Sequence, residues 1–225
     1  MQFSCAVTYP RPFRQPPAAP MRWSGLSVCL SKWGESQALW VQRCFDDGRR
    51  LGLAPAILRY SAREPDLSSE DETIRREAIG MLSAAFELAE KLEVPQVCVT
   101  PGGEVYDDEG DRPARLTALL RSLNELAKRA SQRGRDLMLE VPTVGHLGET
   151  TEELETILRL VDGDVGLCYD VTAAEVPESL RGAVRHVRVG VTDESEMERL
   201  EVDLEQLLGG WYDGVVTVES MLARG

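Results

Sequence analysis

Three carboxylates and one guanidinium stand at or near the ends of four short apolar runs in the second half of the chain. Glu140 lies at the end of DLMLEVP (136–142), Asp170 closes VGLCYD (165–170), Arg188 lies in VRHVRVGV (184–191) and Glu219 nearly closes VVTVES (215–220). A carboxylate carried by an apolar segment is costly to bury without a partner. Three that converge repel one another, so they require a cation between them, either a divalent metal or an arginine. The competing reading is bland: Glu140 and Glu219 as surface or helix-capping carboxylates, and Asp170 as the cap of the turn that follows it. His146, in the loop after Glu140, is a candidate substrate contact or a solvated side chain.

Those runs belong to a repeating pattern. Strands are expected at 54–60 (APAILRY), near 96–100 (PQVCVTPGG), and over the four runs above; Phe3–Val7 and Gly25–Leu30 are two weaker candidates. Between them lie helical segments. ESQALWVQRCFDDGRRLGL closes near Gly52. In the segment 66–94, Ile74, Ala78, Leu82, Phe86 and Ala89 recur at helical spacing, with Ser69 and Glu72 as a capping box. A helix from Pro113 to Arg133 stops at Gly134, another starts at Thr150 with Glu153 as a second capping box, a weak one breaks near Pro177, and the last ends at Gly209–Gly210. Strand and helix alternate, and the strands are apolar enough for burial on both faces, which is the signature of a parallel sheet with helices outside. Six such units plus two N-terminal strands favour a closed (β/α)8 TIM barrel over 1–225. In such barrels the site lies at the C-terminal strand ends. There Thr100-Pro101-Gly102 join the four charged positions. Cys98 and Cys168, flanked by apolar residues, read as core.

The 225 residues carry a net charge of −13, with 43% hydrophobic and 28% charged residues, an ordinary globular composition. The acidity disfavours a nucleic-acid binder and an anionic membrane surface. Charge is uneven: residues 1–63 hold nine Lys/Arg and three Asp/Glu, a net of +6, against −19 for the rest. Five cysteines, an odd number with no C-x-x-C, argue against a disulfide framework or a zinc ribbon and fit a cytoplasmic protein. No apolar run is long enough to span a bilayer, and the N-terminus does not read as a signal peptide. No G-x-G-x-x-G or G-K-[ST] is present; TPGGE is the one weak phosphate-loop candidate. Arg112 and Arg115 could meet a phosphate or sit on the surface.

The order of motifs resembles the xylose isomerase-like TIM-barrel superfamily of sugar phosphate isomerases and epimerases, which also includes the endonuclease IV type of repair enzyme. The segments PDLSSEDETIRREAIGMLSAAFELAEKLEVPQVCVTPGG, LTALLRSLNELAKRASQRGRDLMLEVPT, TEELETILRLVDGDVGLCYDV, VRHVRVGV and WYDGVVTVES carry the likeness over about three quarters of the chain. The resemblance implies a divalent metal (Mn, Mg, Co or Zn) held by Glu140, Asp170, a histidine and Glu219, and proton transfer by Glu140 and Glu219 next to the carbonyl of a sugar or sugar phosphate. Arg188 stands where the family has its histidine, and Ala173 where a second is often found. Either His186 supplies the imidazole through a two-residue slip that keeps the same face inward, or Arg188 pairs with Asp170 or Glu219 in the metal's place. The second case leaves a metal-free site for an anionic or hydroxylated ligand, or a non-catalytic binding or regulatory barrel. With only His146 and His186 in the chain, a trinuclear repair site is not available.

Residues 8–22 are Pro-rich and read as a loop or tail where the first helix would be, and only five residues follow Ser220. The barrel is therefore expected to lack two helices beside the seam of its first and last strands. A second subunit or the folded-back Pro-rich segment is expected to cover it. A mis-started frame with Met21 as the true start is the alternative.

Overall fold

A computed structural model describes residues 1–8, 22–30, 33–61, 66–103, 111–142 and 145–220. Eight parallel strands close into one barrel in chain order, the first pairing with the last. They are β1 (Gln2–Thr8), β2 (Trp23–Leu30), β3 (Ala54–Tyr60), β4 (Gln96–Val99), β5 (Asp136–Glu140), β6 (Val165–Asp170), β7 (Val184–Val191) and β8 (Val215–Ser220). Helices α1 (Glu35–Arg50), α2 (Glu72–Lys91), α3 (Asp111–Gln132), α4 (Thr151–Leu160) and α5 (Glu194–Leu208) return the chain between strands, and a 3₁₀ helix (Glu178–Ala183) replaces one between β6 and β7. The TIM barrel expected from the alternation is thus present. Among the described residues, no helix is long and apolar enough to cross a membrane.

Strand side chains alternate between two environments. The outward set, including Leu26, Leu58, Val97, Leu139, Leu167, Val187 and Val216, packs with the helices in one large apolar core. The inward set is different: Ile57, Cys98, Met138 and Cys168 form a separate small apolar cluster inside the barrel, and many of the other inward positions are polar. All five cysteines are buried and none is in a disulfide.

Helix starts follow local chemistry. Thr150 caps α4 by accepting from the Glu153 amide at 3.2 Å. Glu153 does not return the bond; its carboxylate takes the Gly148 amide and Arg112 instead. The Ser69–Glu72 capping box is not formed. Asp71 caps α2, accepting from the Thr73 amide at 2.7 Å, and Ser69 only braces the turn before it. Ile74, expected on the inner face of α2, is 41% exposed, while Arg75 is buried with its head on Glu72 and the Ser69 carbonyl. Gly134 follows α3 at φ +60°, a left-handed stop that glycine takes without strain.

The Pro-rich segment falls almost wholly outside the described residues. The exposed apolar seam is not found among those described. Phe3, Cys5, Val7, Val216 and Val218, which flank the β1–β8 junction on its outer face, are all buried within this single chain. The apolar surface that motivated a second subunit is therefore absent at these positions.

Candidate functional site

The polar interior of the barrel has two levels. In the lower one, Ser4, Ser27 and Thr217 hydroxyls form a triangle with edges of 2.8–2.9 Å. His186 joins it through Nε2, 2.6 Å from Thr217 Oγ1, and its Nδ1 is 2.9 Å from Gln96 Oε1. An amide oxygen only accepts, so Nδ1 carries the proton and Nε2 accepts from Thr217. Burial pushes the imidazole down to about 3, and the Arg59 charge pushes the same way, so the ring is neutral. His186 is fully buried in this level and does not meet the three carboxylates. The two-residue slip that would have made it a metal ligand is not adopted, because β7 pairs Arg188, not His186, with Asp170.

The upper level lies at the C-terminal strand ends. Arg188 is 8% exposed and reaches all three predicted carboxylates at once. Its Nη2 lies 3.0 Å from Glu140 Oε1 and 3.3 Å from Asp170 Oδ2, and its Nη1 lies 3.1 Å from Glu219 Oε1. Arg59, on β3, is a second guanidinium in the same cluster. Its Nη1 also donates to Glu219 Oε1, its Nε donates to Cys29 Sγ at 3.3 Å, and Nε stands 3.8 Å from Glu140 Oε2. Sequence reading passed over Arg59 within the strand candidate APAILRY. Its signal was there, as a charged residue at an inward position between two outward apolar ones, Leu58 and Tyr60.

Three carboxylates against two guanidiniums leave this cluster one negative charge when every group is ionised. Burial raises the Glu140 carboxyl above its usual range; Arg59 opposes, and the Glu219 and Asp170 charges add to the rise. Glu219 is raised in the same way by burial, with Arg59 opposing and Asp170 adding. Two atoms are left over. Glu140 Oε2 and Arg188 Nε are buried without a hydrogen-bond partner. The cluster is charged, tightly paired and not fully satisfied.

Above it opens a cavity of about 240 Å³, lined by Glu140, Asp170 and Arg188 together with His146, Glu149 and Tyr169. Thr100, Pro101 and Gly102 from the end of β4 also line it. The loops around it are held by ion pairs. Arg112 donates to Glu153, to Glu149 at 3.1 Å and to the His146 carbonyl at 3.0 Å. Arg115 pairs with Asp66, whose carboxylate also takes the Ser68 amide at 2.8 Å. Gly102 sits at φ +130° against that carboxylate, where a Cβ would collide with it. His146 is buried, not solvated. Its Nδ1 lies 3.3 Å from the Gly103 carbonyl, which can only accept, so Nδ1 donates there. Glu104, the last residue of the TPGGE candidate, lies outside the described residues.

A sequence profile of the xylose isomerase-like TIM barrels matches residues 29–176. The chain belongs to this family. A search of curated proteins finds no match. Among solved structures, this xylose isomerase-like barrel is similar to the D-psicose 3-epimerase of Clostridium cellulolyticum H10, solved with D-tagatose, at 20% identity and TM-score 0.65, covering 90% of this chain and 76% of that one. It is also similar to a D-tagatose 3-epimerase-like protein at 20% identity and TM-score 0.69, covering 91% and 84%, and to a 3-keto-D-glucoside 4-epimerase from E. coli at 15% identity and TM-score 0.71, covering 90% and 83%. At these identities the likeness is one of fold.

The residues present do not fit the divalent metal expected at the strand ends. A metal needs carboxylate oxygens turned onto a common point and free of other strong partners. Here one oxygen each of Glu140, Asp170 and Glu219 is turned onto Arg188 nitrogens, and Arg59 holds Glu219 as well. Among the described residues, no group of three or more His, Cys, Asp or Glu side chains could hold a metal ion.

Proposed function

We propose that the mouth of this barrel binds a small polyhydroxylated carbonyl compound of the sugar class, and that Arg188, rather than a divalent ion, balances the three carboxylates there. The observation that carries this reading is the single guanidinium set on Glu140, Asp170 and Glu219. A ligand hydroxyl entering the cavity would meet the carboxylates of Asp170 and Glu149 that line it, and His146 on the loop after Glu140. Family membership and the epimerase neighbours support the ligand class. In this reading the protein is a binding or regulatory barrel that keeps the sugar cavity without the metal.

A second reading is favoured by one observation. Glu140 and Glu219 are both raised by burial, as a general base working near neutral pH requires. In it, Glu140 and Glu219 move the proton next to the carbonyl of an isomerase or epimerase substrate. Glu140, which lines the cavity, removes it and Glu219 returns it. No step through a metal is part of either reading.

The test is a ketose panel offered to EDTA-treated protein in D2O. Binding is followed by the thermal midpoint, which a ligand of the native state raises by mass action. Exchange of the proton beside the carbonyl is followed by NMR. A saturable shift without deuterium uptake supports the binding reading, and a shift with uptake that Glu140→Gln abolishes supports the enzyme. No shift with any ketose would overturn both.

A further inference from the structure

We infer that the ligand of this cavity is an unphosphorylated, uncharged sugar-class compound, and that the site discriminates against phosphate esters. This inference rests on the proposed function, and it concerns charge rather than fold. Three of the charged groups lining the cavity, Glu140, Glu149 and Asp170, are carboxylates. Among the described residues the one lining arginine or lysine, Arg188, spends both Nη nitrogens on Glu140, Asp170 and Glu219.

The neighbouring arginines are spent as well. Arg59 pairs with Glu219 and Glu140, Arg112 with Glu149 and Glu153, and Arg115 with Asp66. Six carboxylates therefore face four guanidiniums around the described cavity, an excess of two negative charges. Recognition of a phosphate dianion calls for a guanidinium fork, an ammonium or a row of amides free to receive it. Each of these arginines would first have to release a carboxylate, leaving that charge half-buried and unpaired. Hydroxyl groups make no such demand. They can donate to carboxylate oxygens already present on the cavity wall, those of Glu149 and Asp170 among them.

The size of the effect follows from Coulomb's law. A dianion about 10 Å from an excess of two negative charges is disfavoured by about tenfold or more in binding even in a water-like dielectric. The penalty is screened by salt. Glu149 makes the clearest lever, because it lines the cavity and its loss also frees part of Arg112.

The experiment is calorimetric titration of the EDTA-treated full chain with D-fructose, D-tagatose and D-ribulose, each beside its terminal phosphate ester, at low and at high salt. The expected result is saturable binding of at least one free ketose, with its ester bound at least about tenfold more weakly at low salt and the gap closing as salt is raised. Glu149→Gln should narrow the low-salt gap severalfold, mainly by improving the ester. An ester that binds as tightly as its parent sugar, or more tightly, would overturn the inference and leave the proposed function standing. Binding of none of the six would overturn the proposed function, and the inference with it.

Discussion

The two polar levels inside the barrel meet on β7 and β8, where His186 and Thr217 lie two residues below Arg188 and Glu219, yet they behave as opposites. The lower one is neutral and closed. Ser4, Ser27, Thr217, His186 and Gln96 satisfy one another, and the imidazole is held uncharged. The upper one is charged and open. Arg59 and Arg188 hold three carboxylates, two buried polar atoms make no hydrogen bond, and a cavity adjoins it. A closed neutral network contributes to one well-defined interior; a charged network with unmet valences is arranged for something that is not part of the chain. His186 illustrates the difference. It sits two residues from Arg188 on the same face of β7, and that spacing alone takes it from the site into the core.

The largest expected effect breaks the upper level. Arg188→Met removes the cation shared by Glu140, Asp170 and Glu219 and leaves those carboxylates with Arg59 alone. Breaking a buried ion pair by deleting one partner costs about 3–5 kcal/mol. The midpoint of urea unfolding should fall accordingly, and adding Asp170→Asn to the same chain should recover part of the loss. A neutral result for the single change would mean that the carboxylates do not depend on Arg188.

A smaller effect is expected from the lower level. Thr217→Val keeps the shape of the side chain but removes the hydroxyl that serves His186, Ser4 and Ser27. Leaving buried polar groups unsatisfied costs about 1–3 kcal/mol. Ketose binding measured on the same variant should be unchanged, because no ligand group reaches this level. Weakened binding with unchanged stability would erase the distinction between the two levels.

Acid titration sharpens the comparison further. His186 is depressed to about 3 in the folded protein, against about 6.5 in the unfolded chain, so below 6.5 the unfolded state takes up a proton that the native state does not. Its contribution to stability is therefore present above about pH 6.5 and is lost as pH falls toward 3, at about 1.4 kcal/mol per unit. Glu140 and Glu219, raised on folding, act in the opposite sense: they favour the native state below about pH 4.5 and lose that contribution as pH rises through their folded values. The difference between the wild-type chain and His186→Gln, measured by denaturant unfolding across pH 4–7, isolates the histidine. An identical slope in the two proteins would mean that the ring is not held neutral.

Much of this arrangement was legible in the residues. The alternation of apolar runs and amphipathic segments placed Glu140, Asp170, Arg188 and Glu219 at strand ends on one rim, and a parallel barrel then leaves them little choice but to converge. Arg59 was less visible because it lies one residue inside an otherwise apolar strand. The lower level was hidden for a related reason: Ser4, Ser27 and Thr217 alternate with outward Phe3, Cys5, Val28, Val216 and Val218, a period of two that reads as a plain apolar run when alternation is not counted. The pairing of Arg112 with Glu149 and Glu153 crosses about 40 positions of sequence, from α3 to the turn before α4 and its first turn, and no local signal announces it. The start of α2 was misplaced by competition between good caps, since Ser69 and Asp71 both suit the role and the backbone chose Asp71.

The central claim is that Arg188 fills the place of a divalent cation. It is tested most directly by titrating EDTA-stripped protein with Mn²⁺, Mg²⁺, Co²⁺ and Zn²⁺ and following the thermal midpoint, with Arg188→His run beside the wild-type chain. The predicted result is no saturable rise for the wild-type chain with any of the four ions. A rise is predicted for Arg188→His, where three carboxylates and an imidazole would be left facing one another. A saturable rise in the wild-type chain, abolished by Asp170→Ala, would contradict the claim and restore the metal to the site.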